Sequence, residues 1–279
     1  MSEITAAAVK ALRDRTSQPM MDCKAALTEA QGDMEKAVEI LRTRGKNVAD
    51  KKGGRETGEG RIAAYTDAAK AVGALLEMRC ESAPVAKNDM FVKLANDLVR
   101  QAALNGVHSV EELLTQPFLD DPKKTVNDHV RDLVGLIREN MRPQRLVRLS
   151  GGLLGSYVHH DGSVGAMIQV EGTQADPQLL KEICMHITFK NPVALRREDV
   201  PQELVTKERE IAKSQAAATG KPAKIVENIA EGKMKTWFAE NVLLEQPFIK
   251  DDSKLVGDLL KAAGLKAVKF VRLKVGEAS

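Results

Sequence analysis

Several stretches of the chain carry side chains able to do chemistry, and they differ in what they allow. His159, His160 and Asp161 are consecutive, and two imidazoles beside a carboxylate are metal ligands in kind. Their spacing argues otherwise, because neighbouring strand side chains face opposite ways and Asp161-Gly162 begins a turn. A surface turn with one outward histidine is the expectation, with no metal. Gly53 through Glu59 is glycine-rich, but the Lys-Ser/Thr that closes a phosphate-binding loop does not follow, so no P-loop is expected there. His108, His129 and His186 stand alone on predicted helices, where a satisfied structural histidine is the ordinary role. The GxSxG, HExxH and GxGxxG patterns are absent, which argues against the common enzyme classes though not against all of them, and no cofactor is expected. Pro19-Met20-Met21 is more informative: set in the loop before a helix, two adjacent methionines cannot both enter one small core. At least one is expected at the surface, where methionine suits a partner; the alternative is a hydrophobic staple closing the bundle.

The elements that must position these residues come in three kinds. Helical spacing predicts three short helices, Ile4 to about Arg15, Asp22 to Ala30 and Asp33 to Arg44, with Thr5 and Asp22 as N-caps and Gly45 as a C-cap. Val9, Leu12, Ala26, Leu27, Ala37, Val38 and Leu41 are their candidate core. Residues 1–45 then form a small module of their own, and 46–60 (KNVADKKGGRETGEG) read as a flexible charged linker. Beyond it the chain repeats itself. Tyr65 with Val72-Gly73-Ala74-Leu75-Leu76 matches Tyr157 with Val164-Gly165-Ala166-Met167-Ile168 at an offset of 92, each within a predicted hairpin. QPFLDDPKKTVND matches QPFIKDDSKLVGD in seven of thirteen positions at an offset of 130. The offsets differ by 38 residues, so the second copy of one α/β unit carries an insertion. The expected division is 61–148 for the first copy, 149–187 and 240–279 for the second, and 188–239 for an inserted antiparallel helical hairpin. Leu204, Ile211 and Ala218 give the hairpin a seven-residue seam, with a break at Gly220-Lys221-Pro222. The fold class is α+β.

Composition removes other classes. A net charge of +3 on 279 residues does not call for nucleic acid, and 3% aromatic residues make a poor base-stacking platform. There is no signal-peptide pattern and no run of about 18 apolar residues, so neither secretion nor a membrane is expected, and a cytoplasmic location follows. Cys23, Cys80 and Cys184 lack metal or disulfide spacing and read as buried thiols.

The N-terminal ITAAAVKALRDRTSQPMMDCKAALTEAQGDMEKAVEILR, with CESAPVAKN, IRENM, GSYVHH, GKPAKIVENIAEGKMKTWF and EQPFIKD further on, resembles the bacterial translation elongation factor Ts family over essentially the whole chain. The resemblance implies a ubiquitin-associated-type module, two related core subdomains and a coiled-coil insertion. It also implies a guanine-nucleotide exchange factor that binds the GTPase elongation factor Tu and speeds GDP release, the nucleotide belonging to the partner. Carried over by motif, Arg13, Met20 and Met21 contact the GTPase from the small module. Ile137, Arg138 (where the family usually has glycine) and His159 belong to the core contact surface, and Ile249 and Lys250 meet another domain of the partner. Ser82, Ala83, Pro84 and Val85 align with the segment that disturbs the partner's magnesium site, where the family commonly has Thr-Asp-Phe-Val. Pro84 is then a rigid apolar wedge in place of the usual carboxylate and ring. A GTPase-binding scaffold or chaperone-like module without strong exchange activity is the alternative. The chain stops at Ser279, where some members continue into a further helix, so that contact is expected to be missing.

Overall fold

The computed structural model describes residues 4–218, 220 and 222–277; Lys221 of the expected helix break and the terminal Ser279 lie outside the described residues. It has the α+β character expected. Helix α1 (Ala6–Thr16) starts at Thr5, whose hydroxyl accepts the Ala8 N–H at 3.2 Å, as predicted for an N-cap. Helix α2 is Met20–Glu29 and α3 is Met34–Lys52, the latter capped by Asp33, whose carboxylate accepts the Glu35 and Lys36 N–H groups. Val9, Leu12, Cys23, Ala26, Leu27, Ala37 and Leu41 close the core between them.

Three local expectations are corrected. Met20 and Met21 are the first two residues of α2 and not loop, because Pro19 fixes the entry to the helix and Asp22 falls inside its first turn. Gly45 does not cap α3, which runs on through Lys52. The stretch 46–60 is therefore not a free linker: 46–52 are helical, and a strand begins at Glu59. The cause is packing. Gly45 lies against Gly135 of α7 (Val126–Ile137), where a Cβ added to Gly135 would sit 2.7 Å from the Gly45 Cα. The close approach lets the extra turns dock, with Ala49 buried, Lys46 beside Asp128 and Asp50 accepting from Arg131 at 2.5 Å.

Strands β1 (Glu59–Asp67) and β2 (Val72–Cys80) form the predicted first hairpin. They are followed by α4 (Ala83–Ala86), α5 (Asp89–Asn105), α6 (Val110–Thr115), the small hairpin β3 (Pro117–Phe118) and β4 (Asp121–Thr125), then α7 and β5 (Met141–Ser150). The second copy has β6 (Leu153–Val158) and β7 (Val164–Glu171), then α8 (Pro177–Lys190). Its inserted helices are α9 (Gln202–Ala217) and α10 (Ala223–Asn241), and it ends with β8 (Pro247–Phe248), β9 (Asp251–Leu255), α11 (Val256–Ala262) and β10 (Lys266–Lys274). The two sheets have matching order: β2 lies between β1 and β5, and β7 between β6 and β10. The small hairpins repeat residue for residue. Pro117 pairs with Thr125 and Phe118 with Asp121, while Pro247 pairs with Leu255 and Phe248 with Asp251, every position moved by the offset of 130 read from sequence.

The chain packs as two compact units. Among the described residues, the first comprises those of 4–63, 76–147 and 275–277, and the second those of 64–75 and 148–274. Thus α1 to α3 share a unit with the first core segment, and the hairpin tip 64–75 groups with the second unit, unlike the expected division at 61 and 148. The first unit buries Met78, Phe91, Leu98, Val99, Val130 and Met141, and the second Ile168, Ile183, Ile187, Leu243, Phe248 and Val256.

The inserted hairpin is antiparallel, but its seam lies one residue on from the predicted one. Ile211 is 40% exposed, Leu204 packs instead beside Val200 and Val242 at the hairpin base, and Ala218 is exposed. Val205, Ala212 and Ala216 face Val226, Ala230, Met234 and Trp237. Alanines at the seam let the two helices approach closely, which a count of large apolar residues overlooks.

Candidate partner-binding site

In the first unit the predicted contact residues are joined by one three-residue corner. Helix α7 ends at Arg138, whose N–H donates to the Val134 carbonyl and whose φ of +64° is left-handed. The next two residues turn the chain into β5. Together the three hold α2, the segment at 81–82 and the chain after α3. The Arg138 guanidinium donates to the Asp22 carboxylate on α2, directly after Met20 and Met21. The Glu139 carboxylate accepts the Ser82 hydroxyl at 2.7 and 2.9 Å. The Asn140 N–H donates to Glu81 at 2.6 Å, and its buried side-chain amide donates to the carbonyls of Gly53 and Arg55 after α3. The Glu81 carboxyl is held below the usual carboxylate range, first by the Asn140 N–H and also by Arg55.

Segment 82–85 is consequently rigid at its root and exposed at its tip. Cys80 donates its thiol to the Ser82 carbonyl, and burial pushes that thiol up to about 12, so it is structural and not reactive. Pro84 lies in the first turn of α4, where its fixed φ suits the helix. Ala83 and Pro84 are exposed, whereas Val85 is buried and anchors the turn from below. Met20 and Met21 are 51% and 73% exposed. Arg13 is also exposed and Ile137 half-buried. Sequence reading missed Asp22, Glu81, Glu139 and Asn140 as connectors, although they sit inside the Met-Met-Asp, Cys-Glu-Ser and Ile-Arg-Glu-Asn-Met runs.

The second unit carries the remaining residues. The half-buried His159 donates its N–H to the Val164 carbonyl, and its Nδ1 lies 3.1 Å from the Tyr157 hydroxyl. Asp161 is engaged by the Ser163 N–H and hydroxyl, which hold its carboxyl below the usual range. Among the described residues no group of three or more His, Cys, Asp and Glu side chains could hold a metal ion. Of the other histidines, His129 and His186 are helical as predicted, but His108 is in the loop before α6, its N–H donating to Glu112 at 3.0 Å. Ile249 packs against the core cluster, and Lys250 reaches Glu182 at 2.7 Å. At the matching turn of the first copy the polarity is reversed, with Arg100 donating to both oxygens of Asp120. Among the described residues no helix is long and apolar enough to cross a membrane.

A family model described as Elongation factor TS matches residues 83–277. The chain belongs to the elongation factor Ts family. It is 42% identical over 276 residues to Elongation factor Ts of Methylococcus capsulatus, covering 98% of this chain and 92% of that protein. The corresponding protein of Thioalkalivibrio sulfidiphilus is 43% identical with the same coverage, and that of Aquifex aeolicus is 40% identical over 96% of each chain. The family match thus starts at Ala83, the exposed first residue of α4, while α1 to α3 are covered by these elongation factor Ts relatives.

Proposed function

We propose that this protein is a guanine-nucleotide exchange factor that binds elongation factor Tu and promotes its release of GDP. Family membership supports the activity. The observation that carries the mechanism is the corner at 138–140, which ties the exposed methionines of α2 and the exposed Ala83-Pro84 into one preorganised surface. Exchange requires that surface to prefer the nucleotide-free GTPase, and linkage then weakens nucleotide by the same factor. A thousandfold weakening needs about 4 kcal/mol of coupling. Disturbing the magnesium beside the partner's phosphates is an economical route, since it removes positive charge from next to the anion. Arg13, Met20, Met21, Ile137 and Arg138 are proposed contacts in the first unit, with Ser82 to Val85 as the magnesium-disturbing segment. His159, Ile249 and Lys250 are proposed contacts in the second. Val85 acts by anchoring, as its burial requires. No cofactor, nucleic acid or membrane takes part.

The test is release of fluorescent GDP preloaded on elongation factor Tu. Addition of this protein should accelerate release by orders of magnitude, and an unchanged rate refutes the proposal. The double change Ala83→Gly, Pro84→Gly should slow release while leaving complex formation measurable; no effect would refute the wedge. The absence of a carboxylate and an aromatic ring at Ala83-Pro84 favours one second reading, a scaffold that binds the GTPase without speeding release. Stable complex formation with no acceleration would establish it.

A further inference from the structure

The duplicated Gln-Pro-Phe turn is fastened in both copies by a fully buried polar side chain from a preceding helix, and the two copies use different residues. In the first, Gln101 of α5 accepts the Leu119 N–H at 2.8 Å through its side-chain oxygen and donates its amide to the Pro117 carbonyl at 2.9 Å and to Gln116 at 3.3 Å. In the second, His186 of α8 does the same work: Nδ1 lies 3.2 Å from the Ile249 nitrogen and Nε2 lies 2.9 Å from the Gln246 side-chain oxygen. Leu119 and Ile249 are equivalent residues of the repeat, as are Gln116 and Gln246. Both latches are 0% exposed.

The chemistry fixes the tautomer. A backbone N–H can only donate, so Nδ1 of His186 must be the acceptor and Nε2 must carry the proton. Nε2–H then donates to the Gln246 side-chain oxygen, leaving the Gln246 amide to donate to the Glu240 carbonyl at 2.6 Å. The Phe248 ring stacks on the imidazole with centroids 5.9 Å apart. An imidazolium cannot accept from Ile249, so protonation must break this bond. Glutamine in the first copy has no such liability.

We propose that His186 is a positioning residue for the Ile249-Lys250 turn, working only as the neutral Nε2–H tautomer, so that the second copy carries a proton-sensitive latch where the first carries a proton-insensitive one. The link to GTPase binding rests on the proposal that Ile249 and Lys250 are contacts. Burial lowers the basicity of His186, which keeps it neutral at physiological pH. The charged groups on the surrounding segments do not reverse this. On α8, Glu182 is engaged by Lys250, while Lys190 further disfavours protonation. Glu245, next to Gln246, is held by Arg197, and Asp251, after Ile249, is held by Lys254. Glu240 presents its backbone carbonyl to Gln246. The sheet and α11 contribute Ile168, Val170, Val256 and Leu260 to the same core.

The experiment follows the Ile249 amide by NMR hydrogen exchange in the full-length protein, beside GDP release from elongation factor Tu. In H186L the Ile249 protection factor should fall at least about tenfold, and the concentration of exchange factor giving half-maximal GDP release should rise by a similar factor. H186Q should restore both, as Gln101 does the same task in the first copy. As the pH falls below the ordinary histidine range, wild type should lose Ile249 protection while H186Q keeps it. Unchanged protection in H186L, or identical pH profiles for wild type and H186Q, overturns the proposal. Should H186L not fold, the comparison of wild type with H186Q across pH still decides. Loss of Ile249 protection in H186L with GDP release unaffected upholds the latch and refutes only the partner contact at 249–250.

Discussion

Arg138 donates to Asp22 although its own backbone is held in the left-handed region at φ +64°. A side chain that joins two segments thus sits at a position where glycine would be conformationally preferred. The left-handed conformation costs a non-glycine residue about 1–2 kcal/mol. The ion pair is partly exposed and returns at most about 1 kcal/mol. Arg138→Gly should therefore equal or exceed Arg138→Ala in stability by about 1 kcal/mol in urea unfolding, since both lose the pair and only glycine relieves the strain. Both should weaken GDP release, because α2 is no longer tied to the corner. If the glycine variant alone kept full exchange activity, the tie to Asp22 would have no functional part.

Met20 and Met21 separate function from folding. Their exposure means that Met20→Ala with Met21→Ala removes little buried area, so stability should change by less than about 0.5 kcal/mol per site. If they form an apolar anchor on the GTPase, the double variant should need about tenfold more protein for half-maximal GDP release. A thermal melt beside the release assay distinguishes the two. A large fall in melting temperature would mean that the side chains serve the bundle.

Gly135 tests the packing that joins α3 to α7. A Cβ there meets the Gly45 backbone on three atoms at 3.0 Å or less, and backbone cannot move aside as a side chain does. Gly135→Ala should cost about 1–3 kcal/mol despite alanine's better helix propensity. It should also loosen 46–52, making Lys51 and Lys52 susceptible to limited trypsin digestion. Wild-type resistance at those bonds would show that the contact is dispensable.

What the sequence made legible follows from how local each signal is. The repeat was readable because Gln116-Pro117-Phe118 and Gln246-Pro247-Phe248 specify the same short turn through local residues, and Thr5 announced a cap through one hydroxyl. Gly45 misled for a physical reason: glycine serves both a helix end and a close helix crossing, and only the distant Gly135 decides between them. The seam of α9 misled because small Ala212 and Ala216 are buried while the larger Ile211 is exposed. The partner residues came from resemblance. Their connectors, Asp22, Glu81 and Glu139, were invisible because each bond joins residues at least 57 positions apart in the chain.

Glu81 makes the corner sensitive to acid. Its carboxylate accepts the Asn140 N–H and faces Arg55, and these bonds depress its folded-state value below the ordinary 4.5. The sign follows from proton uptake. Between the folded and unfolded values the unfolded chain binds more protons, so the contribution is complete above about 4.5 and is lost as the pH falls through the lower folded value. Glu81→Gln keeps an oxygen acceptor for Asn140 but no charge and no titration. The variant should be less stable than wild type near neutral pH, and the gap should close as the pH is taken below 4.5. Urea unfolding of both proteins from pH 7 to about pH 3 measures this. A gap that stays constant across the range would show that Glu81 holds the corner by hydrogen bonding alone, without its charge.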